Sequence, residues 1–418
     1  MRANLLRLLA SPWIIASVAL LLRVLYLVYR AHLIPAEVLA SAPFENEVGN
    51  VAAALVQGRG FCCVFRQPTG PTAWIAPAYP LLLAAVFKLF GAFTITSFYA
   101  AVLLNCVFSA LVCLPLFRTA QRIANPAVAV LAAWLWAVFP NGIILPYAWI
   151  WDTSLSALLA ALLLERTLRL PDSRAASAYL AYGLLWALAL LTNPSLGAVL
   201  PLLFAWVFFR DANPVPARLR GLSLTLAVIF LCCLPWTVRN YVQFHRFVPI
   251  RSNFAYEFWS GNNEIFDPDS RAVNRVTRYE QARLYGTFGE TAFFDDKWQK
   301  AANFVHSNPR LYFQLSIQRV IATWFGTATP WRNLREAGSF LARFLIITNV
   351  LTFLGTLAGL IRLAVCRSPY LVPLASFPLC FPVAFYLTHT TLRHRHPCDP
   401  VLLLLVAIAL AIPRKPPK

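Results

Sequence analysis

Residues 94–117 read TITSFYAAVLLNCVFSALVCLPLF, twenty-four positions without a charge, closed by Arg118. A helix needs about 20 apolar residues to cross the hydrocarbon core of a bilayer, so this stretch is long enough to span a membrane. The pattern recurs on both sides of it. Residues 12–34 form a first apolar stretch, and others follow at 126–146, 149–165, 176–193, 195–209, 219–238, 339–361, 369–388 and 399–412. The chain is therefore expected to be an all-α polytopic membrane protein with about ten transmembrane helices.

Composition agrees. Of 418 residues, 59% are hydrophobic and 13% charged, and the mean hydropathy is +0.62. Soluble domains carry about 25% charged residues, so a cytosolic enzyme is excluded, and 13 Trp with 31 Phe exclude a disordered chain. The net charge of +19 would suit a nucleic-acid binder, but the basic residues cluster in the short breaks between apolar stretches. No nucleic-acid partner is expected; the partner is the lipid bilayer.

Those breaks set the orientation. Arg2, Arg7, Arg118, Arg122, Arg166, Arg169, Arg174, Arg210, Arg218, Arg220, Arg362, Arg367, Arg414, Lys415 and Lys418 share one side with only Glu165, Asp172 and Asp211. The positive-inside rule makes that side cytoplasmic, with both termini there. Arg23 interrupts the first apolar stretch, so it reads as an uncleaved helix rather than a leader peptide. The 79–91 stretch, at 13 residues with Lys88 inside, is too short to span. As an interfacial helix it preserves the register; as a span it would invert everything after it.

Two hydrophilic segments remain on the outer side, 35–93 and 239–338. The organisation expected is a transmembrane module over 1–238 carrying the first outer loop, an extracytoplasmic helical segment over 239–338, and C-terminal transmembrane helices over 339–418. Nine cysteines show neither a CxxC nor a Cys/His metal spacing, and most read as small apolar filler.

Acids are scarce, so their placement is informative. Nine of 17 lie in 239–338 and three face the cytoplasm; Glu37, Glu45, Glu47, Asp152 and Asp399 map to the outer boundary. Asp152 follows Trp151 at a helix start, where it either caps the helix or lines a polar cavity. Glu45 and Glu47 precede the small, apolar Val48-Gly49-Asn50-Val51-Ala52. A carboxylate laid against the membrane there gains basicity, as a general base requires. The cluster Thr388-His389-Thr390-Thr391-Leu392-Arg393-His394-Arg395-His396-Pro397 is either a headgroup anchor or a phosphate site, for which the arginine fork is suited. Arg239 and Arg251 could also reach a lipid phosphate.

These motifs, in this order, resemble bacterial glycosyltransferase family 39, related to protein O-mannosyltransferases and lipid A aminoarabinose transferases. The resemblance rests on Glu47-Val48-Gly49-Asn50-Val51-Ala52 with Gly58-Arg59-Gly60-Phe61, and on Gly70-Pro71-Thr72-Ala73-Trp74 with Pro77-Ala78-Tyr79-Pro80. It continues through Trp151-Asp152, Thr192-Asn193-Pro194, Pro235-Trp236 with Arg239-Asn240, and Arg393-His394-Arg395-His396-Pro397. It implies a GT-C fold with a catalytic acid in the first outer loop and a polyprenyl-phosphate sugar as donor. Transfer would be to an acceptor hydroxyl on a protein, lipid or polysaccharide, at the outer face of a bacterial inner membrane. Many relatives carry an Asp-Glu pair where this chain reads Phe44-Glu45-Asn46-Glu47. Glu45 sits near the second acid of that pair, whereas Glu47 fits the Glu-x-Gly-x-(Ile/Val)-Ala pattern of a closer subgroup.

The catalytic candidates are thus Glu47, with Glu45 second, and Asp152. Arg239, Arg251, Arg393, Arg395 and His396 are candidates for the lipid phosphate, and Trp74 and Tyr79 for sugar or isoprenoid. A single displacement at the anomeric carbon would invert it. No cofactor is required; the carboxylates could ligate a divalent cation, but no motif demands one. The alternative from another class is a transporter or flippase of lipid-linked saccharide, which would show midplane polar groups on broken helices and inverted repeats.

Overall fold

The computed structural model describes residues 9–65, 67–263, 273–336 and 339–411. Arg2, Arg7, Arg414, Lys415 and Lys418, which carry part of the orientation argument, lie outside the described residues, as does Arg271. Among the described residues the only β-pairing is an isolated bridge between Cys62 and Pro71. Each apolar stretch folds as helix. Among the described residues, five helices are long and apolar enough to cross a membrane: Pro12–His32, Ile95–Ile123, Pro126–Ala148, Val215–Phe244 and Phe340–Val365. The remaining expected spans fall on the shorter helices Thr153–Arg169, Ala176–Thr192, Leu200–Arg210, Leu371–Cys380 and Asp399–Leu410.

Proline and buried polar groups explain the breaks. The 126–148 segment starts at Pro126, behind the Asn125 side chain that accepts from the Val128 N–H. It is interrupted at Val138-Phe139 before Pro140, which leaves carbonyls without helical partners. Arg23, fully buried in the first helix, donates to two of them, Ala137 O at 3.1 Å and Trp136 O at 3.3 Å, and to Ser109 Oγ at 2.8 Å. A lone arginine at this depth costs about 2.5–3.5 kcal/mol. The broken helix supplies its acceptors, so two defects offset each other.

Close helix packing follows from small residues. A Cβ on Gly359 would lie 2.2 Å from Leu405 O, so the Phe340–Val365 and Asp399–Leu410 backbones touch where no side chain intervenes. The basic breaks gather at one end of the bundle, where Glu165 pairs with Arg169 (2.9 Å) and Arg118 (3.6 Å), and Arg122 with Asp172. Glu165 and Asp152 occupy opposite ends of the 153–169 helix, which at 1.5 Å per residue is about 25 Å long. The site lies at the Asp152 end.

The first hydrophilic loop, 35–93, contains helices Ala36–Ser41, Glu47–Val56 and Ala78–Phe90. At 13 residues the last is about 20 Å long, short of the roughly 30 Å hydrocarbon core. The adjacent Cys62 and Cys63 are joined as a disulfide. The second hydrophilic segment, 239–338, contributes helices Phe254–Gly261, Val273–Ser307 (kinked at Gly289), Pro309–Phe325 and Pro330–Glu336. Its Tyr285, Phe293 and Phe294 enter the same buried cluster as Trp74, Tyr79 and Phe44 of the first loop.

Candidate active site

Glu47 is the first residue of its helix. Asn46 caps it, accepting from the Gly49 N–H at 2.9 Å and donating to Pro43 O at 2.9 Å. Gly49 is required here because a Cβ would lie 2.1 Å from Phe44 O. The tight turn holds the Glu47 backbone against the cavity wall, and an acid in the first turn complements the helix dipole.

That cavity is about 600 Å³, large enough for a sugar and a phosphate. Glu47, Asp152, Arg251, Arg393, Trp74 and Tyr79 line it, so six sequence candidates from five separate segments meet at one place. Asp152 takes the N-cap position of the 153–169 helix without a capping bond; its Oδ2 accepts instead from Ser156 Oγ at 2.8 Å. Tyr79 is oriented by a 2.9 Å bond to Asn105 Oδ1, and Asn105 donates to the Trp149 and Pro146 carbonyls. Trp74 is buried among Tyr256, Phe293 and Phe294, with ring centroids 4.7–6.0 Å away, so little of its surface is left for a ligand.

Arg393 is the central cation. Its guanidinium lies 4.3 Å over the Trp149 ring and 4.8 Å over Trp151. Its Nε and Nη1 are buried and make no hydrogen bond. Burial lowers its basicity, while Glu257, Glu47 and Asp152 counter that loss. Orphaned donors on a buried arginine cost about 1–3 kcal/mol each, so a group that accepts from them is strongly favoured. An anion with several oxygens fits.

The four other candidates are placed elsewhere. Arg395 and His396 turn into the bundle. Arg395 donates to Asp399 Oδ1 (2.9 Å), Trp324 O (2.6 Å) and Asn349 Oδ1 (2.8 Å), and His396 Nδ1 lies 2.9 Å from Asp399 Oδ2. All three guanidinium nitrogens are thus used in packing, which corrects the phosphate reading of Arg395. His396 is fully buried, stacked on Trp136 at 5.4 Å, and is likewise corrected to a structural position. Arg239 donates to Thr72 O (2.7 Å) and Phe61 O (2.9 Å), clamping the first loop rather than lining the cavity. Glu45, at the end of a short 3-10 turn, is exposed and also outside the cavity lining.

The residues that sequence reasoning passed over come from the 239–338 segment. Glu257 lines the cavity, its Oε2 3.0 Å from His389 Nδ1 and its Oε1 accepting from Asn253 Nδ2 at 2.7 Å. Burial pushes its carboxyl up, but His389, Arg251 and Arg393 together outweigh that and leave it below the ordinary range. Glu257 is one of nine acids in 239–338, and its flanks, Phe254-Ala255-Tyr256 and Phe258-Trp259, are the only fully aromatic-apolar setting for an acid in that stretch. His394 also lines the cavity. Burial, then Arg393, His389 and Arg251, hold its imidazole well below the ordinary value. Among the described residues no group of three or more His, Cys, Asp or Glu is arranged to hold a metal ion.

One acid organises the surroundings. Glu290, buried beside the Gly289 kink, accepts from Thr72 Oγ1 (2.6 Å), Ala73 N (2.9 Å), Tyr285 Oη (2.6 Å) and Ser252 Oγ (2.7 Å). It ties the first loop to the 239–338 segment. Glu290→Ala leaves these donors buried without an acceptor and is expected to cost at least about 2–3 kcal/mol. The check is a lower thermal midpoint together with faster protease cleavage within 239–338.

No protein-family model matches the chain, and no curated protein matches it. Solved structures do. The oligosaccharyltransferase of Archaeoglobus fulgidus in its apo form overlays with TM-score 0.55 and 17% identity, over 97% of this chain and 50% of that one. The same enzyme, AglB, in complex with an inhibitory peptide and a dolichol-phosphate overlays with TM-score 0.51 and 16% identity, over 88% and 46%. ArnT from Cupriavidus metallidurans in the apo state gives TM-score 0.35 and 15% identity over 92% and 77%. The fold rests on the first two: an all-α, multi-pass membrane architecture like that of the matched half of the archaeal oligosaccharyltransferase. The chain spans about half the length of the archaeal oligosaccharyltransferase.

Proposed function

We propose that the protein is an integral membrane glycosyltransferase that moves a sugar from a polyprenyl-phosphate donor to an acceptor hydroxyl, with inversion. The observation that carries this reading is Arg393, a buried arginine with unbonded donors that lines one cavity with the carboxylates Glu47, Asp152 and Glu257. A cation poised for phosphate beside candidate bases is the apparatus of glycosyl transfer from a lipid phosphate. The likeness to a protein solved with a dolichol-phosphate supports the donor class.

Elementary chemistry divides the roles. The lipid phosphate is already a good leaving group, so its departure needs charge neutralisation, supplied by Arg393 and Arg251. The acceptor hydroxyl needs a base as the new bond forms, and Glu47 takes that proton. Asp152 orients sugar or acceptor. Tyr79 and Trp74 shape the wall against sugar or isoprenoid. These roles need no metal. The acceptor is a hydroxyl of protein, lipid or polysaccharide, and the reaction belongs on the extracytoplasmic face of a bacterial inner membrane, with both termini cytoplasmic.

The test is donor turnover by the purified protein in lipid, using a panel of labelled polyprenyl-phosphate sugars and a crude envelope acceptor mixture. Transfer of label from one donor is expected. Label that only changes leaflet, with no transfer from any donor, would replace the enzyme by the flippase.

A further inference from the structure

Two imidazoles share one wall of the cavity, their rings 5.0 Å apart and at 84°. Their settings differ. His394 lies flat on Phe385, with centroids 4.9 Å apart and planes 11° apart, and its Nδ1 accepts the Thr391 N–H at 3.2 Å. That backbone bond leaves Nδ1 without a proton, so the ring is neutral with its proton on Nε2. Charging it would break the bond and add a cation beside Arg393 and Arg251. His389 has the opposite partner, the carboxylate of Glu257 at 3.0 Å from its Nδ1. Two imidazoles on one wall thus have opposite partners, a backbone N–H for His394 and a carboxylate for His389.

The His389–Glu257 contact is also built with care. Gly261 ends the helix that carries Glu257, and a Cβ there would lie 2.0 Å from Thr388 O and 3.2 Å from His389 Cβ. Arg319, from the Pro309–Phe325 helix, donates to Gly261 O, to Asn262 Oδ1 at 2.8 Å and to Leu387 O at 3.2 Å, pinning both segments together. The charged and titratable groups around His389 are Glu257 from the 254–261 helix, Arg251 from the segment before it, and Arg393 and His394 from the 392–395 turn.

We propose that His389 is a catalytic acid for the departing phosphate, with Glu257 as the residue that positions it. The proposal rests on the lipid-phosphate donor reading above. As the acceptor oxygen bonds to the anomeric carbon, the bond from that carbon to the phosphate oxygen breaks and its electron pair stays on the oxygen. The acceptor proton goes to Glu47. The Nε2 proton of the His389 imidazolium goes to the phosphate oxygen, so the lipid product leaves as a protonated monoester rather than a dianion. Glu47 then releases its proton to water and His389 takes one back.

The test reads phosphate binding rather than turnover. Farnesyl phosphate serves as the probe with the intact protein in detergent, from about pH 5.5 to 8.5. Affinity is expected to fall about tenfold as the pH rises across that range, beyond the drift that the probe's own titration gives every variant. His389→Gln abolishes that excess. Glu257→Gln, which keeps the shape of the side chain, moves it to lower pH because the imidazolium loses its counter-charge. His394→Gln leaves it in place. The acid is overturned if the wild type binds without a pH excess, if His389→Gln retains it, or if Glu257→Gln does not move it. No binding at any pH would overturn the lipid-phosphate donor itself. Binding with an unmoved profile would leave that donor standing and remove only the acid.

Discussion

Glu47→Gln is expected to lower the rate of sugar transfer by about 10²–10⁴-fold while leaving donor affinity within a few-fold, because a base acts on the acceptor proton and not on the lipid phosphate. The amide preserves the volume at the first turn of the 47–56 helix and the Asn46 cap that precedes it, so the fold is expected to persist. Glu47→Asp withdraws the carboxylate by one methylene, about 1.5 Å, and should fall between the two, since misplacement of that size already costs heavily in a near-attack geometry. Glu45→Gln is the informative control. Its side chain is exposed and outside the cavity lining, and transfer is expected to stay within about twofold, as for most surface changes. The measurement is turnover of the active labelled donor at saturating acceptor. A Glu45→Gln protein without activity beside an active Glu47→Gln protein would exchange the two assignments. Activity in both would move the base to Asp152.

Much of the fold and part of the site are legible in the amino-acid order alone. The apolar stretches specify the bundle because a bilayer imposes a length on a helix that no soluble core imposes. The scarcity of acids points to Glu47 and Asp152, because a carboxylate at the edge of an apolar helix needs a reason to be there. The direction of side chains within one short segment is not legible in this way. Residues 388–397 read as a single basic cluster, yet the chain turns inside it, sending His389, Arg393 and His394 to the cavity and Arg395 and His396 into the bundle. Asp399 and Asn349 decide that outcome, and Asn349 lies 46 residues from Arg395, in a separate helix. Glu257 is hidden for a related reason. Its significance depends on His389, brought to it by the Gly261 contact and by Arg319, and nothing local to the Phe254–Gly261 helix announces that partner. Arg239 resembles a phosphate ligand because it follows Pro235-Trp236 at the outer end of a helix. The carbonyls of Thr72 and Phe61, far away in sequence, take its donors first.

The alternation of Arg393 and Arg395 sets up the second large effect. They stand two apart on a single helical turn, Leu392–Arg395, and so face nearly opposite ways. Arg393→Met is expected to weaken farnesyl phosphate binding by about 10–100-fold and to slow transfer by about 10²–10³-fold, the range seen when one preorganised donor to a developing oxyanion is lost. Methionine keeps contact with Trp149 and Trp151 and removes buried donors that have no acceptor when the cavity is empty, so the folded state should tolerate it. Arg393→Lys is not expected to rescue. The ammonium keeps the charge but lacks the fork and the flat face that lies over the two indoles. Arg395→Met should fail in the other way. Asp399 would be left buried without its cation, at a cost of about 3–5 kcal/mol, so expression and thermal midpoint should fall while any protein that folds retains phosphate binding. Measuring both quantities on both variants separates the roles: binding lost with stability kept at 393, and stability lost with binding kept at 395. The same loss of stability at both positions would mean that Arg393 is held for packing, and the phosphate would then fall to Arg251.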